Sequence, residues 1–318
     1  MPTRITSSSL AVGIDMGGTT VKYGVVRGHE IIEELEPLPT PAFKGPKALL
    51  KELCVRIQEL RQKHKGIAAV GMGVPGFADV TRGYVHELTN VPGWQRVHVS
   101  RLLAAGTGLP SFVENDANAM CYAEFLHGAG KGATNMVAVT LGTGVGGGLV
   151  LNGELYRGST FGAGEIGQMG IDYQGRHGEH GNIGALEKYV GNREVTARAR
   201  DLYARARCRV AAEDCEPRAL SAAARRGDPI ALKVWDEFTT HLAAGLCSVV
   251  WLLNPDRIVI GGGVARAGKL LFDPLKAKMK AQLAESFRSK LKVVPARFGN
   301  DSGIIGSAAV ALDLARKG

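Results

Sequence analysis

The chain lacks the usual features of secreted and membrane proteins. Its five cysteines among 318 residues are an odd number with no C-x-x-C pair, which favours reduced thiols over a disulfide framework. The longest apolar stretch, "LAAGLCSVVWLL" at 242–253, is shorter than the roughly 20 residues that span a bilayer. The N-terminus has neither the basic start nor the cleavage site of a signal peptide. We therefore expect a cytoplasmic protein with no membrane partner.

Acidic residues are fewer than basic ones, 30 against 39, which gives a net charge of +9. Such a balance indicates attraction to polyanions: nucleotide phosphates, polyphosphate or nucleic acid. The densest basic segment, "NREVTARARDLYARARCR" at 192–209, spaces its arginines irregularly along a helix. That spacing favours a solvated helix face, so no nucleic-acid partner is predicted.

Glycine is abundant, with 43 residues, many of them in clusters after apolar runs. Segments 9–28, "SLAVGIDMGGTTVKYGVVRG", and 135–158, "NMVAVTLGTGVGGGLVLNGELYRG", share one design of strand, Gly/Thr turn and strand, which suggests an internal duplication. Alternation of strands and helices elsewhere predicts an α/β fold. The length favours two domains, predicted at 1–115 and 116–302, with the last helix (303–318) packing back on the first.

The first glycine turn, "DMGGTT", has the composition of a phosphate site. Gly17 and Gly18 allow a sharp turn between two strands, so that backbone N–H groups and the hydroxyls of Thr19 and Thr20 can point at one anion. Asp15 at the end of the first strand would face the same anion. A carboxylate beside phosphates needs a cation, and Mg²⁺ prefers one or two carboxylates with phosphate oxygens.

Two further glycine clusters extend this interpretation. "GTGVGG" at 142–147 offers a second cradle, and "IVIGGGVA", with Gly261–Gly263, suits close approach by a flat adenine. A single such turn is as often a simple hairpin, because neither turn fits the G-x-x-x-x-G-K-[ST] or G-x-G-x-x-G template. The repetition favours a nucleotide triphosphate.

Several polar residues have the character of a sugar site. Asp116 in "VENDANA" either caps the following helix or accepts the proton of an attacking hydroxyl. Its neighbour Asn115 suits a sugar hydroxyl. Glu165 and Glu187 could accept hydrogen bonds from vicinal hydroxyls, although either could equally be a surface glutamate.

Taken together, the motifs resemble the ROK family of sugar kinases and repressors, within the actin-like, hexokinase-like ATPase superfamily. The match covers nearly the whole chain through "DMGGTTVK", "GVPG", "TNVPGW", "ENDANA", "GTGVGGGLVLNGELYRG", "FGAGEIGQM" and "IVIGGGVA". The resemblance implies duplicated actin-like (ribonuclease H-like) α/β domains with a cleft between them.

The resemblance also implies residue roles. It makes Asp116 the general base and places Asp15 near Mg²⁺, in indirect contact. The sugar-binding residues it implies are Asn90, Asn115, Asp116, Glu165, Gln168 and Glu187. The nucleotide-binding residues it implies are Gly17, Gly18, Thr19, Thr20, Lys22, Gly142, Thr143, Gly144, Gly262 and Gly263. A homodimer is the family expectation.

Two departures from the family pattern fall in one segment, the acidic loop "GEIGQMGIDYQGRHGEHGNIGALE" at 164–187. The family box G-E-x-G-H ends here in Gln168. The family's zinc motif, C-x-C-G-x-x-G-C-x-E, aligns with "GEHGNIGALE", so that Gly178, His180 and Ala185 replace its cysteines while Glu187 remains. Zinc usually takes four N or S ligands, so we predict a substrate loop without zinc.

The sequence thus predicts an ATP-dependent hexokinase, glucokinase-like, that phosphorylates the 6-hydroxyl of a hexose such as glucose in glycolysis. One alternative donor is inorganic polyphosphate. Alternative sugars are mannose, fructose or an N-acyl hexosamine, which Gln168 makes a serious possibility because a carboxamide both donates and accepts. A sugar-responsive repressor is less favoured. The resemblance implies that such repressors carry a DNA-binding winged helix ahead of the kinase-like core, and only eight residues precede the first strand here.

Overall fold

The structure is a computed structural model that describes residues 5–6, 9–88 and 91–317. The chain folds into two compact units. The first comprises Met1–Gly132, Leu155–Ala163 and Phe298–Gly318; the second comprises Ala133–Glu154 and Gly164–Arg297.

Within the described residues, the first unit contains nine strands in two sheets, with four helices. Its strands are β1 (Leu10–Met16), β2 (Thr20–Arg27), β3 (Glu30–Glu34), β4 (Leu38–Pro39), β5 (Ile67–Val74), β6 (Phe77–Asp79), β7 (Tyr84–Glu87), β8 (Gln95–Val97) and β9 (Ser111–Asn115). Its helices are α1 (Pro46–Lys63), α2 (Val99–Thr107), α3 (Asp116–His127) and, at the end of the chain, α10 (Ser302–Lys317).

The second unit, all of which is described, contains one sheet and six helices. Its strands are β10 (Met136–Leu141), β11 (Val145–Leu151), β12 (Glu154–Tyr156), where the chain passes into the first unit, β13 (Arg257–Gly261) and β14 (Lys292–Pro295). Its helices are α4 (Glu187–Val190), α5 (Asn192–Arg205), α6 (Pro217–Arg225), α7 (Pro229–Leu253), α8 (Lys269–Gln282) and α9 (Glu285–Arg288).

The two larger sheets share one topology. The first runs in the order β3-β2-β1-β5-β9, with β4 also paired to β2, and the second runs β12-β11-β10-β13-β14. In each, an antiparallel hairpin (β1/β2 or β10/β11) is followed by two strands added in parallel (β5, β9 or β13, β14). The duplication seen in the sequence is therefore a repeat of one sheet design, and the α/β prediction is confirmed.

Helix α10 lies directly on the backbone of the first sheet. A Cβ added at Gly13 of β1 would overlap the carbonyl of Ile304, and one at Gly71 of β5 would overlap the carbonyl of Ser307. Glycine is needed at both strand positions because the helix backbone leaves no room for a side chain there. On its other side α10 packs closely against α3, where Gly306 abuts the carbonyl of Ala119.

The predicted boundary at residue 115 differs from this division. Helix α3 belongs to the first unit, because its buried face packs against α10, and residues 155–163 also return to that unit. The prediction included neither feature, since neither the packing of α3 on α10 nor the return of the chain leaves a local signal in the sequence.

The apolar run at 242–253 forms the C-terminal half of α7, a helix of 25 residues. Asp228 caps its N-terminus by accepting from the N–H groups of Ile230 (2.9 Å) and Ala231 (2.8 Å). Leu242 and Leu246 are fully buried in the second unit. Among the described residues, no helix has both the length and the apolar character needed to cross a membrane.

Candidate active site

The first glycine turn connects β1 and β2 and is braced by a threonine outside the motif. Within the turn, the Gly17 N–H donates to the carbonyl of Thr20 at 2.8 Å. Thr40 ties the turn down from the residue after β4: its hydroxyl donates to the Gly17 carbonyl at 2.8 Å, and its N–H donates to the Thr19 carbonyl at 2.9 Å. The exposed residues Gly18, Thr19 and Thr20 thus lie on a turn of fixed shape. This arrangement supports an anion-binding role.

Asp15 lies at the end of β1 beside this turn. Burial raises the pKa of its carboxyl, and the positive charge of Lys22, its partner in the β1/β2 register, partly lowers it. The carboxylate lies against Gly303 in the first turn of α10, where any Cβ would overlap it. A single partly buried carboxylate beside this turn fits a Mg²⁺ ion that would be bound mainly by phosphate oxygens.

The junction between β9 and α3 assigns different tasks to its two polar residues. Asn115 is the helix cap: its Oδ1 accepts from the Asn118 N–H at 3.0 Å, and its Nδ2 donates to the Gly76 carbonyl at 3.2 Å. Asp116 is instead the first residue of the helix, and its Oδ1 accepts from the Ala117 N–H at 2.8 Å. The interpretation of Asp116 as the helix cap is therefore wrong, because the capping position belongs to the residue before it.

The second glycine turn connects β10 and β11 and is held by the segment that begins α4 and α5. The Gly142 N–H donates to the Gly144 carbonyl at 3.0 Å, and the Asn192 N–H donates to the Gly142 carbonyl at 3.0 Å. Thr143 is exposed at the tip of the turn. Each unit thus has a Gly/Thr turn that joins the two strands of its hairpin and is held by a backbone hydrogen bond.

The third glycine cluster lies next to this turn in the same unit. Gly262 has a φ of 83° and abuts the Leu141 carbonyl at the end of β10. Gly263 begins a short 3₁₀ helix, Gly263–Ala267. An open cavity of about 640 Å³ adjoins the end of that helix and is lined by Arg225, Ala267, Gly268, Lys269, Leu270 and Pro274. The sequence motifs for phosphate and adenosine thus meet at one edge of the second sheet.

The acidic loop brings Glu165 and Glu187 close enough to interact. The pKa of the Glu165 carboxyl is raised, first because surrounding protein displaces water from it and then because of the charge of Glu187, while His180 opposes the shift. Glu187 begins α4, and its Oε2 accepts from the Val145 N–H of the second turn at 2.8 Å. Two neighbouring acids, one with a raised pKa, are typical of a functional site.

Gln168 is half-buried in the same loop and is bound by a residue that the sequence did not single out. The Asn182 Nδ2 donates to the Gln168 carbonyl at 2.8 Å and lies 3.3 Å from its Oε1. His177 and His180 are both exposed. Among the described residues, no group of three or more His, Cys, Asp or Glu side chains is arranged to hold a metal ion.

The structure places most predicted site residues in two sets, one in each unit. The first unit brings together Asp15, Lys22 and the first turn, and separately Asn115 and Asp116; the second brings together Glu165, Gln168, Glu187 and the two remaining glycine clusters. Asn90 lies outside the described residues. Sequence reasoning missed Thr40 and Asn182, whose bonds join segments that no short motif connects.

The sequence matches the ROK family over residues 11–314. The chain belongs to the ROK family. Glucokinase from Streptomyces coelicolor is 33% identical over 318 residues, which cover 97% of this chain and 98% of its own length. This confirms the family resemblance found in the sequence.

Solved structures agree with this membership. A ROK hexokinase from Thermus thermophilus superposes with a TM-score of 0.84 at 30% identity, covering 97% of this chain and all of that one. A ROK glucokinase from Streptomyces griseus, solved with glucose and AMPPNP, gives a TM-score of 0.79 at 30% identity and the same coverage. The chain therefore has the two-domain, actin-like ATPase fold of ROK kinases.

The family also contains regulators. The DNA-binding transcriptional dual regulator NagC of Escherichia coli is 27% identical, over 92% of this chain and 73% of its own length. Family membership alone therefore does not decide between a kinase and a regulator, and the site residues must distinguish the two.

Proposed function

We propose that this ROK protein is an ATP-dependent hexokinase, glucokinase-like, that transfers the γ-phosphoryl group of ATP to the 6-hydroxyl of a hexose. The observation that carries the proposal is the arrangement of Asn115 and Asp116 at the β9/α3 junction. Asn115 takes the helix cap, and Asp116 follows as the first helical residue, with its carboxylate oriented by the Ala117 N–H at 2.8 Å. A carboxylate of fixed orientation suits proton transfer, which a sugar-binding regulator does not require.

In the proposed reaction, the O6 atom of the sugar attacks the γ-phosphorus, the bond from that phosphorus to the β,γ-bridging oxygen breaks to release ADP, and the O6 proton passes to the Asp116 carboxylate. One positioned base contributes about 10²–10⁴-fold to such a step. The bond from Ala117 to Oδ1 fixes the orientation of the carboxylate. We assign sugar hydroxyls to Asn90, Asn115, Glu165, Gln168 and Glu187, since carboxylates and amides are hydrogen-bond partners for hydroxyl groups.

The two glycine turns are assigned to the phosphates of ATP, with Gly262 and Gly263 beside the adenosine. Backbone N–H groups on turns of fixed shape stabilise phosphate charge with little reorganisation. Mg²⁺, held near Asp15, would neutralise charge on the phosphates during transfer. Lys22 adds a positive charge on the strand next to Asp15.

Two open choices remain within this proposal, the sugar and the donor. Gln168, bonded to Asn182, presents an amide to the sugar, which supports glucose, mannose, fructose and N-acyl hexosamines as candidates. The net charge of +9 supports polyphosphate as a second donor. A homodimer in solution is also part of the proposal.

The test is a panel of these sugars against ATP and polyphosphate. ADP release measured by a coupled assay, and sugar 6-phosphate identified by mass spectrometry, should appear together for at least one hexose with ATP. Sugar binding without any phosphorylated product would contradict the proposal and favour a regulator. Size-exclusion chromatography with light scattering would report the oligomeric state.

A further inference from the structure

An ion pair between a buried carboxylate and a partly exposed arginine lies immediately before the proposed catalytic residue. Glu114 on β9 is 2% exposed, and its Oε2 accepts from the Arg157 Nε at 2.7 Å. Its Oε1 accepts from the Asn115 N–H at 3.0 Å and from the Asn118 Nδ2 at 3.1 Å. One carboxylate therefore contacts residues on both sides of Asp116.

Arg157 is on a short segment of the first unit that lies between two stretches of the second unit along the chain. The chain enters this unit at Leu155 and leaves it after Ala163, and Glu165 follows two residues later. The segment closes on itself, since the Ala163 N–H donates to the Arg157 carbonyl at 3.0 Å. Leu155 packs against the cluster of Tyr122, Ala309 and Val310, so the segment has an apolar anchor besides its ion pair.

We propose that Glu114 and Arg157 are a positioning pair that fixes the Asn115–Asp116 junction to the segment leading into the acidic loop. This proposal rests on the proposed function. Neither residue is assigned a contact with substrate. Arg157 acts through Glu114: the guanidinium holds the carboxylate, and the carboxylate holds the backbone of Asn115 and the side chain of Asn118.

The chemistry of the pair supports positioning over stability. A buried ion pair often contributes little net stability compared with apolar residues, because desolvation offsets the attraction. A pair whose carboxylate is hydrogen-bonded to a functional junction instead restricts the geometry of that junction. Catalysis is sensitive to such restriction, since a misplacement of about 1 Å can cost about 10²-fold in rate.

The test uses Arg157→Met, Glu114→Gln and the double variant. Arg157→Met leaves a buried carboxylate unpaired and should lower both Tm and kcat, with kcat about tenfold or more below wild type even well below Tm. The double variant removes both charges and should recover most of the Tm while kcat stays low. Recovery of kcat together with Tm would show a purely structural role and overturn the proposal.

Two comparisons sharpen the result. Arg157→Lys keeps the charge and should restore part of kcat. Arg198→Met breaks a more exposed Arg–Glu pair of the same bond length between α5 and α7, with Nε 2.7 Å from Glu237, and should leave kcat unchanged. KM for ATP should stay within about twofold in every variant, because the pair contacts neither glycine turn.

Hydrogen exchange separates this proposal from the proposed function. In Arg157→Met, peptides covering 111–118 and 157–168 should lose protection together, whereas Arg198→Met should leave both unchanged. This readout needs no activity, so it holds even if no hexose is phosphorylated. Loss of protection confined to the 157–163 segment would contradict the coupling.

Discussion

Glu187 accepts a hydrogen bond from the backbone N–H of Val145 at 2.8 Å, so the proposed sugar-binding acid is attached to the second glycine turn. A Cβ added at Gly144 would overlap the Oε2 of the same carboxylate. The glycine is therefore required by the glutamate as much as by any phosphate. The proposed sugar and nucleotide sites thus meet at one hydrogen bond in the second unit.

Gly144→Ala should for this reason impair sugar binding. The overlapping atom is the end of a flexible side chain, so Glu187 can swing away at small cost to stability, but it loses the Val145 bond. A hydrogen bond to a charged group contributes about 1.5–3 kcal/mol, so KM for the sugar should rise about tenfold or more. Steady-state kinetics with each substrate varied in turn would measure this.

Gly142→Ala is the matched comparison on the same turn. Among the described residues, no atom outside its immediate neighbours lies within 4 Å of a Cβ built at Gly142. We expect KM for the sugar to stay within about twofold in this variant. If the substitution has an effect, it should fall on KM for ATP. Equal sugar effects in the two variants would argue against the Glu187 contact as the cause.

Asp116→Asn should abolish phosphoryl transfer while sparing sugar binding. The amide oxygen can still accept from the Ala117 N–H, but the group loses the basicity needed to take a proton. The expected loss in kcat is about 10²–10⁴-fold, with the sugar Kd from calorimetry nearly unchanged. Asp228→Asn, at the cap of α7, is a control that should keep wild-type kcat. Retention of more than about a tenth of kcat in Asp116→Asn would exclude Asp116 as the base.

Glu165 gives a prediction about pH. Its pKa is raised in the folded protein, so the folded state binds more protons than the unfolded state between the ordinary glutamate pKa of 4.5 and the raised value. Glu165 is an exposed residue, so solvent screening keeps the effect on stability small. Stability therefore falls as pH rises through that window. Glu165→Gln should remove this fall and be at least as stable as wild type at pH 7, while KM for the sugar rises. Thermal melts from about pH 4 to 8 would show it; a variant that is less stable throughout would contradict the expectation.

The sequence predicted the repeating strand and turn units well because each is local. Hydrophobic runs that end in glycine report on a hairpin formed by neighbouring segments of the chain. The small sheet β6-β7-β8 and helix α2 were not predicted, since their short elements are stabilised mainly by packing. The tertiary ties were equally invisible: Thr40 to Gly17, Arg157 to Glu114 and Asn182 to Gln168 join residues 23, 43 and 14 positions apart.

The acidic loop is held by hydrogen bonds within the second unit. Tyr189 donates to Asp172 at 3.2 Å, and its hydroxyl accepts from the Arg176 N–H at 3.1 Å. The Arg176 guanidinium lies 5.0 Å from the centre of the Tyr189 ring, which in turn packs on the His241 ring at 4.7 Å. Asn182 adds its hydrogen bonds to Gln168. We call these contacts of Tyr189, Arg176 and Asn182 the clamp.

We expect this clamp to serve in place of zinc. Gln168, Gly178 and Ala185 offer no zinc ligand, and His180 is exposed. Incubation with a chelator should therefore leave Tm and sugar affinity unchanged, and activity should fall only through loss of Mg²⁺ and return when Mg²⁺ is restored. Asn182→Ala should instead raise KM for the sugar severalfold, because the Gln168 segment loses its donor.

Lys188→Met provides the control for Asn182→Ala in the same part of the chain. Lys188, whose side chain is 13% exposed, pairs with the exposed Glu179 at 3.1 Å. Methionine keeps the packing of the buried stem, and an ion pair with one end in solvent contributes little, so KM and Tm should barely change. Tyr189→Phe should cost about 1 kcal/mol through its lost hydrogen bonds without altering metal content. If elemental analysis found about one zinc per chain and its removal lowered Tm, then the clamp would be secondary, and His177 and His180 would be the first ligands to test by substitution.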